Sequence, residues 1–247
     1  MIDSFFRFPH TPHLAWLGEG APRDDKVLSP SEAEEMLAGD VIVEEKLDGA
    51  NLGISLDETG RLRAQNRGQY LAMPSSGQFS RLPGWLDTHR GSLLGLMQPN
   101  WIVFGEWCAA RHSLAYDRLP DWWLIFDVYV QDGAFYLPVD LRNGLANRAG
   151  LAVVAEVFRG HATVASLKKL LTDQPSGYRS GPLEGVVVRR EQPGMPTVRA
   201  KLVRPDFLQV IGVHWRQRHI EWNRLQVPEL GETPHGRKAR DDIRDSS

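Results

Sequence analysis

The run Asp40–Lys46 does most to limit what this chain can become. Val41, Ile42 and Val43 are consecutive β-branched residues, a pattern that suits a buried strand and disfavours a helix. The strand ends on Glu44, Glu45 and Lys46, and Lys46-Leu47-Asp48-Gly49 follows at once. A strand end is a rigid place from which to present an amine, and Gly49 lets the backbone turn tightly beside a bound group. A lysine set there suits a nucleophile better than a solvated surface charge. The tetrapeptide alone is a weak signal, and its weight comes from other segments of the same kind.

Asn51, Leu52, Gly53, Ile54, Ser55 and Leu56 alternate, break at Asp57–Gly60 and resume at Arg61–Gln65, which predicts a β-hairpin. Apolar strands are expected again at Trp101–Glu106, Trp122–Val130, Gly185–Arg189 and Thr197–Val203. Ser29, Pro30 and the acids at 32, 34 and 35 mark a helix start with a side-chain cap. Further helices are expected over about 85–98 and 164–171, with a loop at 69–84, mixed structure over 140–172 and an irregular or short-stranded lead-in over 1–28. Strands and helices are interspersed without regular βαβ spacing, so the class is α+β with mainly antiparallel sheets. No internal repeat and no glycine-rich phosphate loop is present.

Composition narrows the functional classes. The 247 residues are 42% hydrophobic, enough for a sizeable core, and the net charge of -2 argues against a bulk nucleic-acid coat protein. The 29 basic residues still suffice to line one groove. A single cysteine, Cys108, rules out a disulfide frame and a cysteine-based zinc site, and reads as a small buried side chain. The N-terminal residues lack a signal-peptide pattern, and no window approaches the ~18 apolar residues of a membrane span. The expected setting is cytoplasmic and reducing, away from membranes.

Four segments that carry acids or bases lie at the ends of apolar strands: Glu44–Gly49, Phe104–Glu106, Glu184–Arg189 and Arg199–Lys201. A cleft between sheets produces that recurrence. The order Lys46-Leu47-Asp48-Gly49, Gly105-Glu106, Phe126-Asp127-Val128, Glu184 through Arg189, then Arg199-Ala200-Lys201 resembles the covalent nucleotidyltransferases: ATP-dependent DNA ligases, RNA ligases and mRNA capping enzymes. The resemblance covers about residues 40–205. Within that superfamily the chain looks most like the RNA ligases, especially the phage RNA ligase 2-like group. Asn51 stands where DNA ligases usually have arginine, and the segment Gly105–Asp121 is similar to bacterial and phage RNA ligases.

The resemblance implies an α+β nucleotidyltransferase (ATP-grasp-like) fold, with antiparallel sheets flanked by helices and the nucleotide in the cleft between them. It implies that Lys46 attacks the α-phosphate of ATP and carries AMP covalently. A free lysine has a pKa near 10.4, so making it half-neutral near pH 7.4 takes a shift of ~3 units, roughly 4 kcal/mol. Burial and the cations Lys201 and Arg199, with a divalent metal, are expected to supply it and to neutralise the α-phosphate. Arg199 stands where the family usually has lysine, and its guanidinium is wider and forked. By the same carry-over Glu106 holds a ribose hydroxyl, Phe126 stacks on adenine, Glu45 and Asn51 lie near the nucleotide, and Arg67 contacts AMP or the 5′-phosphate end. Glu184 and Asp48 are the implied ligands of Mg²⁺ or Mn²⁺. Arg111 and His112 are candidates for contacts with nucleic-acid phosphates, whereas His10 and His13 show no metal-ligand spacing.

The implied function is RNA repair: AMP passes to a 5′-phosphate end, and a 3′-hydroxyl displaces it to seal the strand. An end-healing kinase or phosphatase is a natural partner, because ligation needs those ends. The alternatives are a minimal ATP-dependent ligase for DNA or RNA–DNA nicks, and a non-catalytic nucleotide- or RNA-binding module. Residues 1–226 are read as the adenylyltransferase domain and 227–247 as a polar, flexible tail. The stretch 204–226 is expected to form one or two helices, packed on the core or gripping RNA.

Overall fold

The computed structural model describes residues 5–20, 22, 26–192, 194–208 and 220–227. The polar tail expected beyond residue 227 lies outside them. Ser29 opens α1 (Pro30–Met36) with a full capping box, its side chain accepting from the Glu32 amide while Glu32 accepts from the Ser29 amide. The strands β1 (Asp40–Lys46), β2 (Ala50–Leu56) and β3 (Leu62–Gln65) follow, then a 3-10 turn at Gly77–Phe79 and α2 (Leu82–Leu96). Next come β4 (Trp101–Trp107), β5 (Trp123–Val130), the short β6 (Phe135–Tyr136) and α3 (Val139–Arg148). The remaining elements are β7 (Glu156–His161), α4 (Val164–Asp173), β8 (Gly185–Arg190), β9 (Val198–Val203) and the short α5 (Pro205–Leu208).

Two antiparallel sheets result. One has the order β7-β1-β8-β9 and the other β3-β2-β4-β5-β6. The period-2 alternation of strands divides the first sheet into two faces. Val41 and Val43 of β1, Val186 and Val188 of β8, and Ala200 and Leu202 of β9 pack with Met36 of α1 and Leu167 and Leu171 of α4. The alternate residues Glu44, Lys46, Val187, Arg189, Arg199 and Lys201 therefore face the other way, into a cavity. In the second sheet Leu52, Ile54, Val103, Trp107 and Ile125 pack against Leu82, Trp85, Leu93 and Leu96 of α2. Each sheet thus buries one face under helices and turns charged or aromatic residues toward its neighbour.

Two expectations need correction. Residues 156–161 form an edge strand, β7, within the stretch read as mixed. Beyond α5, the described residues 220–227 are extended and not helical: Trp222 bridges Ala110 and Leu225 bridges Leu119. Their backbone hydrogen bonds are made to the 109–119 loop, which a helix could not do.

Candidate active site

A cavity of about 150 Å³ opens between the sheets. The expected residues Glu45, Lys46, Asn51, Arg67, Glu106, Phe126, Arg199 and Lys201 all line it. Lys46 ends β1 opposite Gly185 of β8, a register that brings the adjoining Glu184 to its side chain. Its amine donates to Glu184 Oε1 at 2.6 Å and more weakly to the Leu47 carbonyl at 3.4 Å. Lysine and acid are 138 residues apart in sequence.

The Lys46–Gly49 loop is fastened from two sides. The Gly49 amide donates to Glu106 Oε1 at 3.0 Å. A Cβ at Gly49 would sit 2.5 Å from the Trp107 carbonyl oxygen and 3.0 Å from Glu106 Cγ, so the close approach to β4 requires glycine. Asp48 Oδ2 accepts from the amides of Ser113 (2.7 Å) and Leu114 (3.0 Å), and the Asp48 amide donates to the Tyr116 hydroxyl at 2.8 Å. Its other oxygen, Oδ1, lies 4.0 Å from His112 Nδ1. His112 is turned inward, with Nε2 2.7 Å from Gln78 Oε1. Arg111 is surface-exposed and pairs with Glu221 at 2.5 Å.

The electrostatics around Lys46 differ from the expected cationic setting. Burial pulls the amine down, but Glu184, Asp48 and Glu106 outweigh it and hold Lys46 above its ordinary pKa. Burial pushes Glu106 up to about 7 against the pull of Lys46. Glu184 is also raised, by burial first, with Lys46 and Lys201 opposing. The lysine's nearest charges are therefore acids, and in this state it is held as an ammonium ion. Neutralising those carboxylates would leave burial as the main influence and draw the amine's pKa down.

The donor set suits a divalent cation. Glu184 Oε2 is buried and has no hydrogen-bond partner among the described residues, and the same is true of Asn51 Oδ1 at the cavity wall. Among the described residues no three His, Cys, Asp or Glu side chains are grouped to form a protein-only metal cage. Mg²⁺ characteristically takes one or two carboxylates and completes its shell with water and substrate phosphates.

Along the cavity wall runs an ionic lattice that the sequence reading missed. Glu44, on β1, accepts from Arg142 of α3 and from Arg189 Nε of β8 at 2.5 Å. Asp127, on β5, accepts from Arg189 Nη1 at 2.9 Å and from Arg199 of β9. Arg142 and Arg189 also donate to the Phe126 carbonyl. Glu44 is 1% exposed, Arg142 1%, Asp127 2% and Arg189 3%. The lattice ties both sheets and α3 together and fixes the strand end that carries Phe126. Arg199 is thereby committed to Asp127, with its guanidinium 3.9 Å over the Tyr136 ring. Lys201 presents its side chain to the cavity while its backbone pairs with the lead-in segment, its amide donating to the Pro12 carbonyl at 2.8 Å.

That lead-in supplies walls that no motif announced. Phe8, His10 and Thr11 line the cavity, and Arg67 Nη1 lies 3.4 Å from His10 Nδ1. Phe6 stacks on Tyr129 at 3.8 Å and Phe8 meets Phe126 edge-on at 5.2 Å. The richness in phenylalanine, proline and histidine before residue 14 was the available signal. Glu45 also touches the cavity, but its carboxylate accepts from Ser176 Oγ at 2.5 Å and the Gly177 amide at 2.9 Å. Cys108 is fully buried, and burial pushes its thiol far above the usual range, as suits an inert core residue.

Solved structures share the fold. A Naegleria gruberi RNA ligase aligns with a TM-score of 0.54 and 17% identity, covering 71% of this chain and 52% of its own. A variant of that enzyme bearing ATP and Mn aligns at 0.51 and 17%, over 71% and 52%. A putative ATP-dependent DNA ligase from Aquifex aeolicus aligns at 0.50 and 20%, over 81% and 50%. The chain thus spans about half the length of these structures. No curated protein matches it in sequence. The RNA ligase family model matches residues 39–203, from the residue before β1 to the end of β9. The chain belongs to the RNA ligase family.

Proposed function

We propose that this protein is an ATP-dependent RNA ligase that carries AMP on Lys46 and seals a 5′-phosphate end to a 3′-hydroxyl end. The observation that carries the reading is the Lys46 amine, set at a cavity between the sheets and 2.6 Å from Glu184 Oε1. A surface lysine has no need of a buried acid whose second oxygen has no partner among the described residues.

In the first step Lys46 Nζ sheds a proton, for which Glu184 Oε1 is the nearest carboxylate acceptor, and attacks the α-phosphorus of ATP. A P–N bond forms as the P–O bond to pyrophosphate breaks. Glu184 Oε2, with Asp48 Oδ1, would hold Mg²⁺ or Mn²⁺; when bound, the metal supplies positive charge that offsets the phosphates and weakens the acids' hold on the lysine. Phe126 covers the base, Glu106 offers its second oxygen to a ribose hydroxyl, and Asn51, Arg67 and Lys201 face the phosphates. Arg199 acts through Asp127 by fixing the β5 end, and Glu45 holds the β1 end to the 176–177 loop. A 5′-phosphate oxygen of RNA next attacks the same phosphorus and breaks the P–N bond. A 3′-hydroxyl finally attacks the activated 5′-phosphate and AMP leaves. Positioning and charge neutralisation supply most of the acceleration in such in-line transfers. A kinase or phosphatase that prepares the two ends is the expected partner.

A pulse–chase experiment tests the substrate. Protein labelled with α-³²P-ATP is chased with nicked RNA carrying a 5′-phosphate, and the label should pass to the RNA before appearing as free AMP on sealing. Label that passes only to a DNA nick would replace this reading with that of a small DNA ligase.

A further inference from the structure

The described residues that follow α5 are more than an appendage. We infer that Asn223, which lies outside the 39–203 family match, is a positioning residue for the Lys46 site, acting through Tyr116 and Asp48. The inference rests on the ligase reading above and concerns what holds that site in register.

Asn223 is 4% exposed, an unusual depth for an amide side chain unless its polar atoms are all engaged. They are. Its Oδ1 accepts from the Tyr116 amide at 2.9 Å, and its Nδ2 donates to the carbonyls of Cys108 (2.8 Å) and Ala110 (3.3 Å). Its own amide donates to the Ala109 carbonyl at 2.9 Å. One side chain thus staples both ends of the 108–116 loop. That loop returns the grip to Asp48 three times, through the Ser113 and Leu114 amides and the Tyr116 hydroxyl. Asp48 is two residues from Lys46, so the position of the nucleophile's loop is set by a residue 175 positions further on.

Neighbouring contacts press the strap home. Arg81 lies 4.1 Å over the Trp222 ring and 5.4 Å from that of Trp122, and the Arg224 amide donates to the Tyr116 carbonyl at 2.9 Å. Phe126, proposed to cover the base, makes none of these contacts. Loss of Asn223 should therefore disturb the phosphate-reacting end of the site more than the Phe126 wall that covers the base. A misplacement of about an ångström at a reacting group costs on the order of 100-fold in rate.

The test uses the full chain and measures transfer of label from α-³²P-ATP to protein in a single turnover, as a function of ATP concentration. Asn223→Ala should lower the limiting rate on the order of 10- to 100-fold, with the half-saturating ATP concentration changed by less than about 3-fold. Tyr116→Phe, which deletes one oxygen at the other end of the relay, should show the same split. The double variant should be no slower than the slower single one, because the two act in series. Hydrogen exchange gives a readout without catalysis: the Ser113 and Leu114 amides should lose protection in Asn223→Ala while those of β1 keep it. If Asn223→Ala does not fold, Tyr116→Phe alone carries the test by its rate and exchange pattern. A wild-type limiting rate in the folded variants, or losses that multiply, would overturn the inference. Failure of the wild-type protein to label would instead overturn the ligase reading.

Discussion

The ionic lattice of the cavity wall offers the most quantitative prediction. Glu44→Gln keeps the shape of the side chain and removes one buried negative charge. Both Glu44 oxygens accept from guanidinium groups, those of Arg142 and Arg189, so one of these would then face an amide NH₂. Breaking one member of a buried ion pair costs about 3–5 kcal/mol, because its partner is left charged and out of water. For a chain of this size each kcal/mol lowers the melting temperature by about 2–4 °C, so the variant should melt roughly 6–20 °C below wild type. The loss should depend only weakly on salt between about 0.1 and 0.5 M, where screening lengths run from ~10 to ~4 Å, because the pair is buried. Replacing Glu44 and Arg142 together by leucine should recover part of the loss. Calorimetric melting of the three proteins is the assay. A Glu44→Gln variant that melts within about 2 °C of wild type would refute the claim that the lattice is dry and energetically coupled.

Other perturbations address single features. Burial holds Glu106 at about 7, above its unfolded value, so the folded state favours its protonated form and wild-type stability falls as pH rises through that range. Glu106→Gln, which keeps an acceptor for the Gly49 amide, should therefore gain up to about 3 kcal/mol on wild type between pH 4 and pH 8; parallel stability profiles would contradict this. Gly49→Ala drives a Cβ to 2.5 Å from the Trp107 carbonyl and should cost about 1–3 kcal/mol and most of the labelling activity, checked by denaturant unfolding and label transfer. Phe126→Ala should raise the ATP concentration for half-maximal labelling by roughly 10-fold, in keeping with about 1–3 kcal/mol for stacking of a base on an aromatic ring; an unchanged value would remove Phe126 from the base site.

Much of the framework was legible because strands with β-branched runs and capped helices announce themselves. Val41–Val43, Val186–Val188 and the Ser29 capping box behave as local chemistry dictates. β7 escaped because its residues are all exposed or half-buried, as an edge strand allows, and Gly160 at φ 131° interrupts the pattern. α3 was obscured by Asn143, Gly144 and Asn147, poor helix formers that packing overrides. In the 220–227 strap, Trp222 and Leu225 have a spacing that suits a helix, and only their pairing with the 109–119 loop makes them extended. The site was legible as motifs at strand ends. The lattice was not, since Glu44 meets partners 98 and 145 residues away, and no local pattern encodes such a meeting. The acidic surroundings of Lys46 were hidden for the same reason, because Glu184 and Glu106 reach it only through sheet register.

The central claim is that Lys46 forms a covalent bond to AMP. Purified protein would be incubated with ATP and Mg²⁺ or Mn²⁺, after pyrophosphate treatment to strip any AMP already bound, and its peptides mapped by mass spectrometry. The account predicts a mass increase of one AMP on the peptide containing Lys46, absent from Lys46→Ala and Lys46→Arg and reversed by pyrophosphate. An unmodified Lys46 peptide under both metals, or an AMP adduct that persists in folded Lys46→Arg, would contradict it.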